Sequence, residues 1–355
     1  MTSRQRVMKA LRFEEPDKVP VTLAYETPEE ICHKYGREEF IGKFRNDVLA
    51  VHFRPAEPSP IIRKRYLKDI PDSAQIDQWG RATAPSSTGQ SYQVFSPLAN
   101  VNQASELEHY PFPDVSDSTL HEHLEEEVAR MHTAGYAVQG YMSQTIFELA
   151  WEFAGMEKLM TDFYTNPQFV ERLFDIITNL RIIMARRFVE AGVDVLRLGD
   201  DVGAQKGMLI SPKIWRRFLK PRLAKIIEEA RKIRENIPIF YHSDGNVREI
   251  IPELIEIGVT ILNPVQPECM DPVEIKRKYG DRLALWGTIG TQSTLPFGTP
   301  EEVKITVARM CKEVGKGGGF VISPTHSINA DVPWENIVAF YEAVEEFGVY
   351  NSTGV

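Results

Sequence analysis

The chain has 355 residues, 43% hydrophobic and 26% charged, an ordinary globular composition. Its 41 Lys and Arg against 50 Asp and Glu leave a net charge of −9, which argues against a nucleic-acid partner. Three cysteines (Cys32, Cys269, Cys311), none in a CxxC pair, exclude a disulfide framework, and no run nears the roughly 20 apolar residues of a membrane span; a cytoplasmic protein is expected.

Arg4 to Phe13 sets Val7, Met8 and Leu11 at helical spacing, and Pro16 ends that helix. Val19 to Tyr25 is an apolar, β-branched run that reads as a buried strand with Glu26 at its end. A further strand is expected near Val48 to Phe53. Residues 60–118 differ: they are rich in Pro, Ser, Asp and Gly, and short alternating runs flank Pro85-Ser-Ser-Thr-Gly89 as hairpin material. This stretch reads as an insertion or cap within one domain spanning 1–355.

After Ser118 strands and helices alternate. Helices are predicted at 120–133, 148–164, 167–191, 212–236, 247–257, 272–279, 300–314 and 333–347. Strands are predicted at 136–141, 193–199, 237–241, 259–262, 283–286 and 319–322. The strands are continuous apolar runs, as in parallel sheets buried on both faces. About eight strands in this length fit an α/β fold, a (β/α)8 TIM barrel with an N-terminal inserted cap. A doubly wound sheet is the competitor, but no Gly-x-Gly-x-x-Gly follows a strand, and Gly315 to Gly319 reads as a helix C-cap.

A barrel gathers its chemistry at the C-terminal strand ends. Those ends carry Glu26, Gln144, Asp200 and Asp201, His242 and Asp244, Gln266, Thr288 and Gln292, and His326. His242 and Asp244 are two apart on extended chain and share a face, and His326 follows the later strand 319–322. Two imidazoles and a carboxylate make a common catalytic zinc ligand set with one open position. The residues leave a second reading open, in which His242 is an acid/base and Asp244 caps the helix near Val247. Asp200 and Asp201 suit metal binding, acid/base work or helix capping, and one of them is expected to be structural. His33, His52, His109, His121, His123 and His132 fall in helices or in the inserted region and receive no role. Cys269 borders the pocket or is a buried spectator.

These residues resemble the uroporphyrinogen decarboxylase superfamily, which also holds the zinc-dependent cobamide methyltransferases. The resemblance covers nearly the whole chain. It rests on Arg4 to Leu11 with Pro16 to Pro20, Gly192-Val-Asp-Val195 with Gly199-Asp-Asp201, Ser211-Pro212 with Pro221, and Tyr241-His-Ser-Asp-Gly-Asn246. Asn263-Pro-Val-Gln266, Trp286-Gly-Thr-Ile-Gly290 and Gly318 to Pro324 complete it. It implies a TIM barrel. True decarboxylases of the family carry an Arg-Gln-Ala-Gly-Arg segment after the first strand. Here Thr22 to Glu30 is acidic and has no arginine, so an octa-acid porphyrinogen is disfavoured.

The methyltransferase branch carries His-x-Cys after one strand and a second Cys after the last. Those positions fall on His242, Asp244 and His326, so harder ligands replace both thiolates. That departure points away from thiol substrates and toward a Lewis acid acting on oxygen. The resemblance thus implies a zinc-dependent O-demethylase-type methyltransferase that passes a methyl group from a methoxylated, aromatic substrate to a corrinoid (cobalamin-type) cofactor on a partner protein. His242, Asp244 and His326 would hold the metal, with Asp200, Asp201 or Glu26 as a further ligand and Asp200 and Asp201 catalytic. Tyr25, Glu26, Tyr141, Phe147, Gln266 and Trp286 would bind substrate, although each ring is equally at home in a core. The alternatives are a metal-free decarboxylase of a small acid, for which Arg197 is the only arginine within a strand, and a non-catalytic binding protein. No nucleic acid or membrane partner is expected, and oligomeric state is open, a homodimer included.

Overall fold

The computed structural model describes residues 1–85, 92–142 and 144–350; the turn expected over 86–89 lies outside them. Seven strands form one parallel sheet: β1 (Val48–Val51), β2 (Ala137–Tyr141), β3 (Val195–Gly199), β4 (Ile239–His242), β5 (Ile261–Asn263), β6 (Ala284–Trp286) and β7 (Phe320–Val321). Each pairs with the next in chain order. Parallel neighbours need a crossover, and helices such as Pro167–Glu190, Lys220–Arg231, Pro272–Tyr279 and Pro300–Glu313 supply it. The apolar runs explain the layering: every residue of β3 and of β4 is buried.

Alternation sorts the strand residues onto two faces. Val48, Ala137, Val195, Phe240, Ile261, Ala284, Trp286 and Val321 form their own apolar cluster, and Val7, Leu11 and Phe13 pack on it. Most of these are first residues of their strands. The helix Ser3–Ala10 therefore seals the end of the sheet opposite the polar strand ends. Gln139, Arg197, His242 and Asn263 share this inner face by the period of two.

Three expectations change. Val19 to Tyr25 makes one isolated bridge, Val21 with Ile322, not a strand. Pro20 has no N–H to give. The Val21 amide donates to Asp47 Oδ2 at 2.8 Å and the Leu23 amide to Asn46 Oδ1 at 2.8 Å, so side chains take the place of a ladder. Backbone bonds still run to both sides: Thr22 N–H to the Ile322 carbonyl at 3.1 Å, and Asp47 N–H to the Val21 carbonyl at 2.8 Å.

The helix expected over 148–164 is two helices, Phe147–Ala154 and Met156–Thr165. Gly155 between them has φ 86°, a backbone that residues with a Cβ avoid. Gly155→Ala meets nothing closer than 3.9 Å, so its cost is conformational. The loss is expected to be about 1–3 kcal/mol, read as a lower urea midpoint at an unchanged slope. The helix expected over 212–236 runs as Pro212–Ile214, a π-turn at Trp215–Leu219, then Lys220–Arg231. Pro221, lacking an N–H, accounts for the widened turn.

In the 60–118 stretch, Gln75–Ile76, Ala82–Pro85 and Tyr92–Phe95 pair as an antiparallel sheet. No helix among the described residues is long and apolar enough to cross a membrane.

Candidate functional site

The C-terminal strand ends converge around His242, the last residue of β4, which is 5% exposed. Its neighbours determine its tautomer. Asn263 Nδ2 donates to the Trp286 carbonyl at 2.9 Å, which turns Asn263 Oδ1 toward the imidazole. His242 Nδ1–H donates to that oxygen at 2.7 Å. Nε2 is left with its lone pair, which accepts from the Tyr25 hydroxyl at 3.1 Å.

Two carboxylates face the same nitrogen. Asp201 Oδ1 is 3.6 Å from Nε2 and Asp244 Oδ1 is 3.9 Å away. One ligand atom from each of the three residues falls within 4.8 Å of the others. Asp201 Oδ1 also accepts the Asp244 amide at 2.8 Å, and Asp244 Oδ1 is buried with no hydrogen-bond partner. Burial, then the Arg197 cation, pushes His242 down to about 4; burial, then Asp201, pushes Asp244 up to about 7. A neutral imidazole beside two crowded carboxylates, one with an orphaned oxygen, suits a divalent cation. The residues present fit the metal that the resemblance implies. His326 is at the rim: its Nε2 is 3.9 Å from Asp244 Oδ2 and its side chain is 44% exposed. The structure gathers Asp201, His242 and Asp244 and leaves His326 outside that trio.

The adjacent aspartates separate. Asp200 is buried, and its carboxylate accepts the Ile146 and Glu148 amides at 2.9 and 3.0 Å, capping the helix Phe147–Ala154. It does not face the trio, which corrects its expected catalytic role. Asp201 does. Glu148, which the sequence did not single out, accepts the Asp201 amide at 3.0 Å. Burial and the charges of Asp200 and Asp201 raise its carboxyl to about 9.

A cavity of about 420 Å³ reaches the trio through Tyr25 and Asn263, which both line it and bond to His242; Glu26, Tyr141, Arg197, Phe240 and Trp286 are among its other walls. Glu26 has an unpartnered Oε2, and burial raises its carboxyl. His52 lines the cavity as well, its ring 4.7 Å from Tyr141. It follows β1 directly and lies in no helix; its place at a strand end is the signal that was available.

Two expected substrate contacts lie elsewhere. Phe147 is fully buried in the main core against Trp151 and Phe163, because its helix starts with that face inward. Gln266 Oε1 accepts the Gly245 amide at 2.5 Å and so braces the loop after β4. Cys269 donates to the same oxygen at 3.8 Å. The Asp244 side chain accepts no helix amide, so the capping reading of that residue has no support.

The family profile for uroporphyrinogen decarboxylase (URO-D) matches residues 122–347. A uroporphyrinogen decarboxylase of Coxiella burnetii is 28% identical over 191 residues, 53% of this chain and 50% of that protein. The methylcobamide:CoM methyltransferase MtaA of Methanosarcina barkeri is 30% identical over 199 residues, 56% of this chain and 55% of that protein. In each case the match spans about half the relative's length. A solved methyltransferase from Methanosarcina mazei superposes with a TM-score of 0.67 at 22% identity, covering 98% of this chain and 99% of that one, a likeness of fold. The chain belongs to the uroporphyrinogen decarboxylase family, within the superfamily that decarboxylases share with cobamide methyltransferases.

Proposed function

We propose that the protein is a zinc-dependent methyltransferase that moves a methyl group from a methoxylated aromatic substrate to the cobalt of a corrinoid protein. The observation that carries this reading is the convergence of His242 Nε2 with Asp201 and Asp244, beside a cavity walled by aromatic rings. The similarity to a methylcobamide:CoM methyltransferase supports methyl transfer. The acidic Glu26 and Glu30 on the cavity wall count against a porphyrinogen with many carboxylates.

Asp201, His242 and Asp244 would hold the zinc, with His326 in reach of the second Asp244 oxygen. When bound, the metal supplies a Lewis acid for the ether oxygen. Asn263 orients the imidazole from behind. Tyr25, whose hydroxyl donates to His242 Nε2 at 3.1 Å, would donate a hydrogen bond to the departing aryl oxygen. Tyr141, Phe240 and Trp286 would exclude water from the ring. We read the fold as a (β/α)8 barrel in which the extended segment 19–23, bonded to Ile322 on one side and Asp47 on the other, fills the place of an eighth strand, with residues 60–118 an insertion capping it, in a cytoplasmic enzyme.

The test is zinc content together with methyl transfer from methoxylated benzenes to a reduced corrinoid protein. About one zinc per chain is expected, with transfer lost on chelation and restored by zinc. Full transfer by metal-free protein, or carbon dioxide release from a small acid with no methyl transfer, overturns the reading.

A further inference from the structure

The cavity floor holds a cation with no hydrogen-bonded partner among the described residues. Arg197, the middle residue of β3, is 4% exposed. Its guanidinium carbon is 5.0 Å from the Tyr25 ring, 4.5 Å from Tyr141 and 4.8 Å from Phe240. Its Nε has no hydrogen-bond partner, and among the described residues no carboxylate lies within 4.0 Å of it. Ring faces attract a cation but give its N–H groups no lone pair to bond. Asp244 is within electrostatic reach, but a metal held beside it would take up that charge.

A second orphan sits on the neighbouring strand. Gln139 is 5% exposed, faces the same cavity, and its Nε2 has no partner. β2 and β3 pair with Tyr141 opposite Arg197 and Gln139 opposite Val195, so Gln139 is one inward position deeper. A forked cation and an amide donor, both buried and both unsatisfied, point into one aromatic-walled space. A planar carboxylate answers both: it accepts two parallel bonds from a guanidinium and has lone pairs left for an amide. Glu26 and Glu30 on the wall repel an anion there, so the acid end seats at Arg197.

We infer that Arg197 and Gln139 form a carboxylate-binding site on the cavity floor, and that the substrate is an aromatic acid. That this acid carries a methoxyl group rests on the function proposed above; the anion site does not. The site also gives the monoanion a direction, acid end on the floor and opposite end toward His242.

The test is calorimetric titration of the zinc-loaded protein with benzoate, 4-methoxybenzoate and the neutral 4-methoxybenzamide. The benzoates are expected to bind about tenfold to a hundredfold more tightly than the amide, the range for a hydrogen-bonded charge. Arg197→Met, which keeps bulk among the rings, is expected to abolish that preference, and Gln139→Leu to reduce it about fivefold. Near-UV circular dichroism checks the fold, and Gln139→Leu with Arg197→Lys carries the test if Arg197→Met does not fold. No benzoate binding at millimolar concentration, or equal binding of acid and amide, overturns the inference. So does a preference that survives Arg197→Met, as ligation of benzoate to zinc would produce. Tight benzoate binding without methyl transfer defeats the proposed reaction and leaves the anion site standing. Turnover of neutral ethers without benzoate binding does the reverse.

Discussion

Replacing His242 by alanine is expected to leave a folded protein that has lost its metal. Nε2 is the only nitrogen donor in the trio, and without it two carboxylates remain with a loop between them. Zinc content should fall to a small fraction of an equivalent, and methyl transfer by about 10³-fold, since Lewis-acid stabilisation is worth several kcal/mol and each 1.36 kcal/mol is tenfold. The stability cost should be modest, about 1–3 kcal/mol, mostly from leaving Asn263 Oδ1 without its donor. Elemental analysis and a thermal melt on one preparation check both statements. Full zinc occupancy in His242→Ala would remove the basis of the proposed chemistry.

Asp200→Ala is expected to do the opposite, removing stability and sparing the metal. The Asp200 carboxylate caps a helix through two backbone amides and shares its buried surroundings with Arg181, which is 4% exposed. Burial lowers Arg181 to about 10 while Asp200 and Glu152 act to hold its charge. Truncating one member of such a buried charged set costs about 3–5 kcal/mol. Urea unfolding reads that loss, and zinc content should remain near the wild-type value. Loss of zinc at unchanged stability would mean that the roles of Asp200 and Asp201 are exchanged.

The different fates of these two neighbours show where the sequence was legible. Strand ends were readable because apolar runs stop abruptly at polar residues, and a parallel sheet in chain order brings those stops to one rim. Asp201, His242 and Asp244 meet there, and Tyr25, Glu26, Tyr141 and Trp286 line the adjoining cavity. Which aspartate of the pair turns outward was not readable, because the amides that claim Asp200 lie 52 and 54 positions away. Phe147 and Gln266 failed as pocket residues for a similar reason: tertiary packing, not position after a strand, decides where each points. Alternation places Arg197 on the face of Gly199 and Asp201, but not among aromatic rings, because Tyr25, Tyr141 and Phe240 come from three other segments. Asn263 and Glu148 act through other residues and carry no spacing signal of their own. The strand expected from Val19 failed at the level of bonding, since composition predicts an extended chain but not that aspartate and asparagine side chains will receive its amides.

That last detail bears on when the site can exist during synthesis. The segment carrying Tyr25 rests on late parts of the chain: Val19 N–H donates to the Gly348 carbonyl at 2.8 Å, and Thr22 N–H to the Ile322 carbonyl at 3.1 Å. Asp47, which receives the Val21 amide, is gripped by Arg6 and Arg45, and Arg45 in turn pairs with Glu345 at 2.8 Å. A ribosome releases residues 19–47 long before residues 320–348. One wall of the cavity therefore waits, unsupported, for the last helix to emerge, and a metal or substrate meeting the nascent chain finds only part of a site.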